Sequence, residues 1–450
     1  MRGPLAYIAP SSGLRPPSPS QTGEKGPHSL VVADKLQNCK LQIANWLCHG
    51  LWCLAICSFP FAVFNLQSPS FCFAAEPLVE LVTRADETVT GQLTAWTPQA
   101  LTVDSRNVPS TDLFELRFPD HRVRTVEGDW LVLANGDRVA ASVRQVQDDV
   151  AEAAWTAAPL RPNWSGPLET VSAFVFNFPA APRIRRDWLA ALEHTPAGHD
   201  HLQFITGERL QGEFARLEGQ QITLSASFGD TQLDRRRVRW LRFDRDLVTT
   251  PGIKGVYWLV WLTDGSRLTA TDVRPGENID VELALAVGGT FHIAWHQLAR
   301  LQRFDDRLVP LSRRTPTATT YTPYLSGQRT LRRNQNVLGS PIVVRGVESA
   351  VGLGMASGMT ATYAIEPGDR EFRAWVGIDD AAEGQGNARF QVLLDGRLHW
   401  ESEELTGQSS RVPVPPVPLT GAKTLTLQVD YAQTGDVGDH ADWGDAVIVR

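Results

Sequence analysis

Between residues 79 and 304 one arrangement of apolar and polar positions recurs four times. The stretches VELVTRADETVTGQL (79–93), DWLVLANGDRVAASV (129–143), HLQFITGERLQGEF (201–214) and YWLVWLTDGSRLTATDV (257–273) each read as an apolar strand, a tight polar turn and a second, alternating strand. That pattern predicts a β-hairpin, and the pairs Ala85-Asp86, Asn135-Gly136, Thr206-Gly207 and Asp264-Gly265 suit its turn. Further on, each copy closes on a short apolar strand ending in Phe: STDLFELRF (110–118), ETVSAFVFNF (169–178), RRRVRWLRF (235–243) and WHQLARLQRF (295–304). One such unit cannot bury enough apolar area alone. Neighbouring copies are therefore expected to pack together, as small SH3/Sm-like barrels or curled sheets, in one region spanning 76–304.

The pattern breaks between the second and third copies. Trp188, Leu189 and Leu192 recur at helical spacing, with Pro182 before and Gly198 after, so a short helix is expected over 185–194. Residues 305–322, with SRRTPTATTYTP inside them, read as a linker. From 323 to 450 the runs SPIVVRGV, MTATYAI, REFRAWVGID, ARFQVLLDG, RLHWESEEL, KTLTLQVDYA and WGDAVIVR alternate with Gly turns. Short strands at this spacing predict an antiparallel β-sandwich, making the chain all-β apart from the helix.

Composition agrees: Gly 36 and Pro 29 favour strands and turns over long helices. All five cysteines lie in the first 75 residues, so the rest has no thiol for a disulfide, a nucleophile or a zinc-cysteine site. Residues 41–75 carry no Asp, Glu, Lys or Arg. Within them LWCLAICSFPFAVF (51–64) resembles the apolar core of an export signal, flanked by Lys35 and Lys40, with a small-residue cleavage point after Ala74 or Ala75. Its 14 residues, interrupted by Pro60, fall short of the roughly 20 a spanning helix needs, which favours cleavage over retention as a membrane anchor. The Pro/Ser-rich stretch ahead of Lys35 is too long for a basic leader, so translation is expected to start near Val31 or Val32. The expected location is secreted, periplasmic or in the cell envelope.

The whole chain carries a net charge of −7, and the part after residue 75 carries −10. No basic footprint for nucleic acid exists; the dense run DRRRVRW (234–240) reads as a solvated strand face.

The ordered segments NVLGSPI (336–342), GLGMAS (352–357), TYAI (362–365), FRAWVGIDD (372–380), ARFQVLLDG (388–396), GAKTLTLQV (421–429) and DHADWGDA (439–446) resemble the NPCBM family of carbohydrate-binding modules. These are jelly-roll domains first noticed beside catalytic domains of glycoside hydrolase family 98. The hairpin repeats resemble accompanying regions of exported proteins from planctomycete-type bacteria. Relatives of the module bind galactose-containing glycans, so the resemblance implies a sugar-binding domain. The family's Gly-x-Gly-x-His pattern is departed from here, because Ala356 stands where the imidazole is usual, and Ala364 where Asp often follows the Tyr.

The densest candidate chemistry is GDHADWGDA (438–446). Asp439, His440, Asp442 and Trp443, together with Trp400, are the candidate ligand contacts, since carboxylates and an imidazole bind hydroxyls and aromatic faces stack on sugar rings. Strand alternation would put Asp439, Ala441 and Trp443 on one side and His440 and Asp442 on the other, unless a loop precedes the last strand. Asp379, Asp380 and Asp439 are the candidates for a structural calcium, against the bland reading that these carboxylates fix loops. Asp395-Gly396 reads as a hairpin turn. No GxSxG, HExxH, P-loop or GxGxxG occurs, so a non-enzymatic protein is expected. The leading reading is an exported protein binding a polysaccharide or cell-surface glycan. Two others stay open: an envelope structural protein that has lost sugar binding, and a metal-dependent hydrolase.

Overall fold

The computed structural model describes residues 76–155, 163–276, 280–324, 327–433 and 435–450. The export-signal reading of residues 1–75 falls outside them. Each of the four hairpins opens a five-stranded unit. In the third, Asp200–Phe204, Arg209–Glu218, Gln221–Ala226 and Gly229–Asp234 pair in succession, and Val238–Arg242 returns to pair with the first strand. The other three close identically, through Leu81↔Leu116, Leu131↔Phe174 and Val260↔Leu301. The turns carry Asp86, Gly136, Gly207 and Gly265 at positive φ (64°, 82°, 98°, 89°), a conformation that Gly and Asp adopt at low cost.

No unit stands alone. The closing strands pair between units, second with third through Phe174↔Leu241 and first with fourth through Leu116↔Leu301. Each closing strand is thus paired on both edges, and Leu81, Leu131, Leu202 and Val260 belong to one apolar core shared by all four units. The helix runs Pro182–Glu193, three residues earlier than expected, because Pro182 takes a first-turn position where its missing N–H costs nothing. Its Trp188, Leu189 and Leu192 pack on Trp130, Phe178 and Trp240.

Two expectations fail. Residues 305–322 are not a linker. Leu308–Pro310 pairs with the C-terminal strand, Leu311 is fully buried, and Ala318–Tyr321 pairs with Met359–Ala364. The alternating threonines are strand residues that a turn-like composition disguised. Nor is 234–240 a solvated face: Arg235–Arg237 is a 3-10 turn, and Arg235 is buried on Asp129 and the Val143 carbonyl.

The C-terminal third is a two-sheet sandwich. The first sheet has His440–Val449 at its centre, between Gly352–Ala356 and Glu371–Ile378. In the second, Ala318–Tyr321, Met359–Ala364, Thr424–Tyr431, Asn387–Leu394 and Arg397–Glu401 lie side by side. Leu353, Val376 and Trp443 meet Tyr363, Phe390 and Leu427 between the sheets. The expected turn holds, with Asp395 and Gly396 both at positive φ.

Sandwich and repeats are joined at Asp445. Its Oδ1 accepts from Ser349 Oγ (2.7 Å) and its Oδ2 from Trp375 Nε1 (3.0 Å) and Arg300 Nη2 (3.1 Å). Arg300 belongs to the fourth repeat and also pairs with Glu115 of the first. Burial works against the Asp445 carboxylate, but Arg300 and the two donors outweigh it and hold its pKa below the usual range. Asp445→Ala would strand the buried Trp375 N–H and take from Arg300 one of its two carboxylates, leaving Ser349 Oγ the Val351 carbonyl. Urea denaturation should show a loss of about 3–5 kcal/mol, with a smaller loss for Asp445→Asn; a loss under about 1 kcal/mol for the alanine variant would contradict this role.

Candidate functional site

The strand His440–Val449 begins at His440, so no loop relaxes its alternation. Ala441 and Trp443 face the sandwich core; Trp443 is fully buried, edge-on to Phe390 at 5.4 Å. It is therefore a core residue and not a ligand contact. His440 and Asp442 take the other face, opposite Ala356 and Gly354 respectively.

Asp442 lies between two glycines, Gly354 on one neighbouring strand and Gly377 on the other. A Cβ at Gly354 would sit 2.4 Å from the Gln335 carbonyl oxygen, and one at Gly377 2.8 Å from Val344. The segment 335–344 thus lies directly on this face, and Asp442 is sealed beneath it with 0% exposure. Its neighbour Asp379 accepts from Asn336 Nδ2 (2.9 Å), Ala381 N (2.8 Å) and Val343 N (2.8 Å). Burial first, then the Asp379 charge, raises the Asp442 pKa well above the carboxylate range, so Asp442 keeps its proton beside the Asp379 carboxylate, and neither of its oxygens finds a partner in any other described group. Asp380 in turn holds the Arg345 and Gly346 N–H groups, each at 2.8 Å.

These carboxylates hold a loop. Calcium needs oxygens free to face it, whereas those of Asp379 and Asp380 are taken by N–H donors and Asp439 hydrogen-bonds elsewhere. Among the described residues, no three His, Cys, Asp or Glu side chains converge as a metal site. The expected grouping of Asp379, Asp380 and Asp439 does not form.

At the start of the same strand the face opens. A cavity of about 190 Å³ is lined by Tyr321, Arg329, Ala356, Asp436, Asp439 and His440, among others. Asp439 Oδ1 accepts from Asn387 N at 2.7 Å, while Oδ2 is buried without a partner. The Ser357 hydroxyl favours the ionised form yet does not meet hydrogen-bond geometry; burial outweighs both donors and raises the Asp439 pKa. His440 Nδ1 is likewise unpartnered, and burial, reinforced by Arg329, pushes the imidazole down to about 4. At neutral pH the cavity therefore presents the unpartnered oxygen of the Asp439 carboxyl group, a neutral imidazole, a phenol ring and a guanidinium, a set suited to sugar hydroxyls.

Asp439 and His440 are thus brought together, and Asp442 is cut off from them by its cover. Trp400 lies on Arg397–Glu401, opposite Val392 in the second sheet, half-buried and outside the cavity lining. Tyr321 and Arg329 were missed because one sat in the supposed linker and the other preceded the first motif. Asp436 was within reach of a reading that followed the Gly-rich run back from Asp439.

Residues 312–449 match the model of the NPCBM/NEW2 domain family. A Renibacterium salmoninarum protein named "Putative endo-alpha-N-acetylgalactosaminidase" is 32% identical over 108 residues, which are 24% of this chain and 7% of that protein's length. Among solved structures, a CBM51 module of a Clostridium perfringens GH95 protein in complex with methyl-galactose is 25% identical, over 32% of this chain and 99% of its own, with a TM-score of 0.29. Tandem CBM51 modules of a family 98 glycoside hydrolase from Streptococcus pneumoniae are 13% identical over 58% of this chain and 90% of theirs, with a TM-score of 0.28.

The buried carboxyl pair makes stability depend on pH in a definite direction. Because the folded pKa of Asp442 lies above its unfolded value, the native state binds the extra proton, and stability is lost as pH rises from about 4 toward the folded pKa. In Asp442→Asn the amide N–H replaces the acid proton and that loss disappears. Urea melts should find the variant gaining on the native protein between pH 4.5 and 7.5; an equal difference at both would contradict a protonated Asp442.

Proposed function

Residues 312–449 carry an NPCBM/NEW2 domain, and from that premise we propose that the protein is an exported, non-enzymatic glycan-binding protein of the cell envelope or the secreted fraction, with a galactose-type sugar seated in the Asp439–His440 cavity. The observation that carries the reading is the pair of buried, unpartnered atoms on one wall, Asp439 Oδ2 and His440 Nδ1. Buried polar groups without partners cost about 1–3 kcal/mol each. Hydroxyl groups of a sugar relieve both, one as donor to the carboxylate and one as donor to the imidazole, while the Tyr321 ring supplies an apolar surface. At about 190 Å³ the cavity is smaller than the ~300 Å³ of the smallest drug-sized pockets. It takes one sugar ring and leaves the rest of a chain outside.

The second reading, an envelope structural protein without sugar affinity, draws on Ala356. That residue faces His440 across the strand pair, so this chain supplies an imidazole to the same spot from the neighbouring strand. The position of His440 favours the sugar-binding reading over its rival.

Titration calorimetry of the whole protein with galactose and with galactose-terminated oligosaccharides tests this. Binding is expected, weakened about 10-fold to 100-fold in Asp439→Ala, since a hydrogen bond to a charged group contributes about 1.5–3 kcal/mol. No binding at millimolar sugar sinks the proposal in favour of the structural reading. The pH profile is a further check. His440 takes a proton only near pH 4, so in Asp439→Asn, which has no carboxyl group there to titrate, the remaining affinity should stay flat from pH 8 to 6 and fall toward pH 4. A fall centred near 6.5 would show that the imidazole at work is not the buried one.

A further inference from the structure

A larger cavity, about 550 Å³, lies where the repeats meet the sandwich. Six arginines line it, against the two acids Glu348 and Asp380. Three of the six are committed. Arg117 pairs with Glu115 and Glu80, Arg138 with Glu348, and Arg300 with Glu115 and Asp445. The acids are committed too, Glu348 to Arg138 and Arg267 and Asp380 to two backbone N–H groups.

The other three arginines, Arg185, Arg186 and Arg411, meet no carboxylate among the described residues. The Arg185 guanidinium lies over the Trp130 ring at 4.4 Å and the Phe178 ring at 4.1 Å, and reaches only the carbonyls of Val126 and Pro179, each at 3.4 Å. Arg411 sits 5.6 Å over Trp375, and Arg186, half-buried, makes no side-chain hydrogen bond or ion pair among the described residues. Burial, followed by the charge of Arg138, pushes Arg185 down to about 9, and burial followed by Arg117 and Arg300 lowers Arg411. Glu348 and Asp264 offset Arg185 only in part, as Asp445 and Glu115 do Arg411, and among the described residues none of them forms an ion pair with either guanidinium. A chain of net charge −7 gathers incompletely compensated guanidiniums in one cleft and locks two of them on aromatic rings, which reduces the entropy lost on binding.

We propose that this cleft is a second glycan site, for the carboxylate or sulfate groups of an anionic polysaccharide. Planar guanidiniums bind both oxyanions through paired N–H bonds, and the apolar wall formed by Leu189, Val343 and Val347 accepts the C–H face of a sugar ring. The sugar carrier rests on the function proposed above; the anion does not. Because the cleft draws on both halves of the protein, it gives the repeats a part in recognition that the sandwich cavity does not require.

The test uses the whole protein and three probes: trigalacturonate for carboxylate, a 6-sulfated galactotriose for sulfate, and uncharged galactotriose. Each is titrated into native protein, Arg186→Gln/Arg411→Gln and Asp439→Asn, at 50 and 500 mM NaCl. Neither variant arginine has an ion pair or side-chain hydrogen bond to lose among the described residues, Arg411 gives up only its contact with the Trp375 ring, and thermal melts confirm that the fold is intact. At least one anionic probe should bind, weaken about tenfold or more in the double arginine variant and in high salt, and bind Asp439→Asn as it binds native protein. Whichever anionic probe responds identifies the group. Anionic binding without galactotriose binding upholds the cleft and removes the sandwich cavity. Anionic probes that bind no better than galactotriose, that ignore the arginine substitutions, or that are lost in Asp439→Asn overturn the cleft.

Discussion

The hydrogen-bonded carboxylate of Asp445 is the constraint on which the arrangement turns. It stands in a bulged stretch of the central strand with φ at 47°, beside Gly444, where any Cβ would fall 2.0 Å from the Trp375 ring. That close approach brings the indole N–H onto the carboxylate. Ser349, at the end of the hairpin Ile342–Val344/Val347–Ser349, is held by the same group, and Arg300 ties it to the repeats. An ionised buried carboxylate survives only when its lone pairs are filled, so strand, hairpin, indole and repeat are fixed relative to one another by one demand. The cover on the sheet face and the arginine cleft both follow from where that hairpin is held.

Two acids, Asp442 within the last strand and Asp439 just before it, then meet opposite fates. Asp442 lies under the covering segment and keeps a proton beside Asp379; it is structural. Asp439, three residues earlier and just beyond the edge of that cover, retains a free oxygen beside a neutral imidazole and faces an open cavity. Similar residue types in one short motif do different work because the covering segment ends between them.

Much of the fold was legible in the residues. Hairpin turns announced themselves through Asp and Gly at the positions that require positive φ, and alternation placed Ala441 and Trp443 opposite His440 and Asp442 correctly. What stayed hidden is what alternation does not encode, namely which face another segment covers. The threonines of 318–321 looked like a linker until their partner strand, some forty residues on (Ala318↔Thr362), was known. Arg235 looked solvated until Asp129, 106 residues earlier, was placed against it. The arginines of the cleft come from five separated stretches of chain, so no local motif marks them.

The most direct measurement is a crystal structure of the protein soaked with methyl galactoside. The account predicts one sugar ring in the cavity between Tyr321 and His440, with a hydroxyl on Asp439 Oδ2 and no sugar against Trp400. An empty cavity at saturating ligand, or a sugar stacked on Trp400 instead, would contradict it.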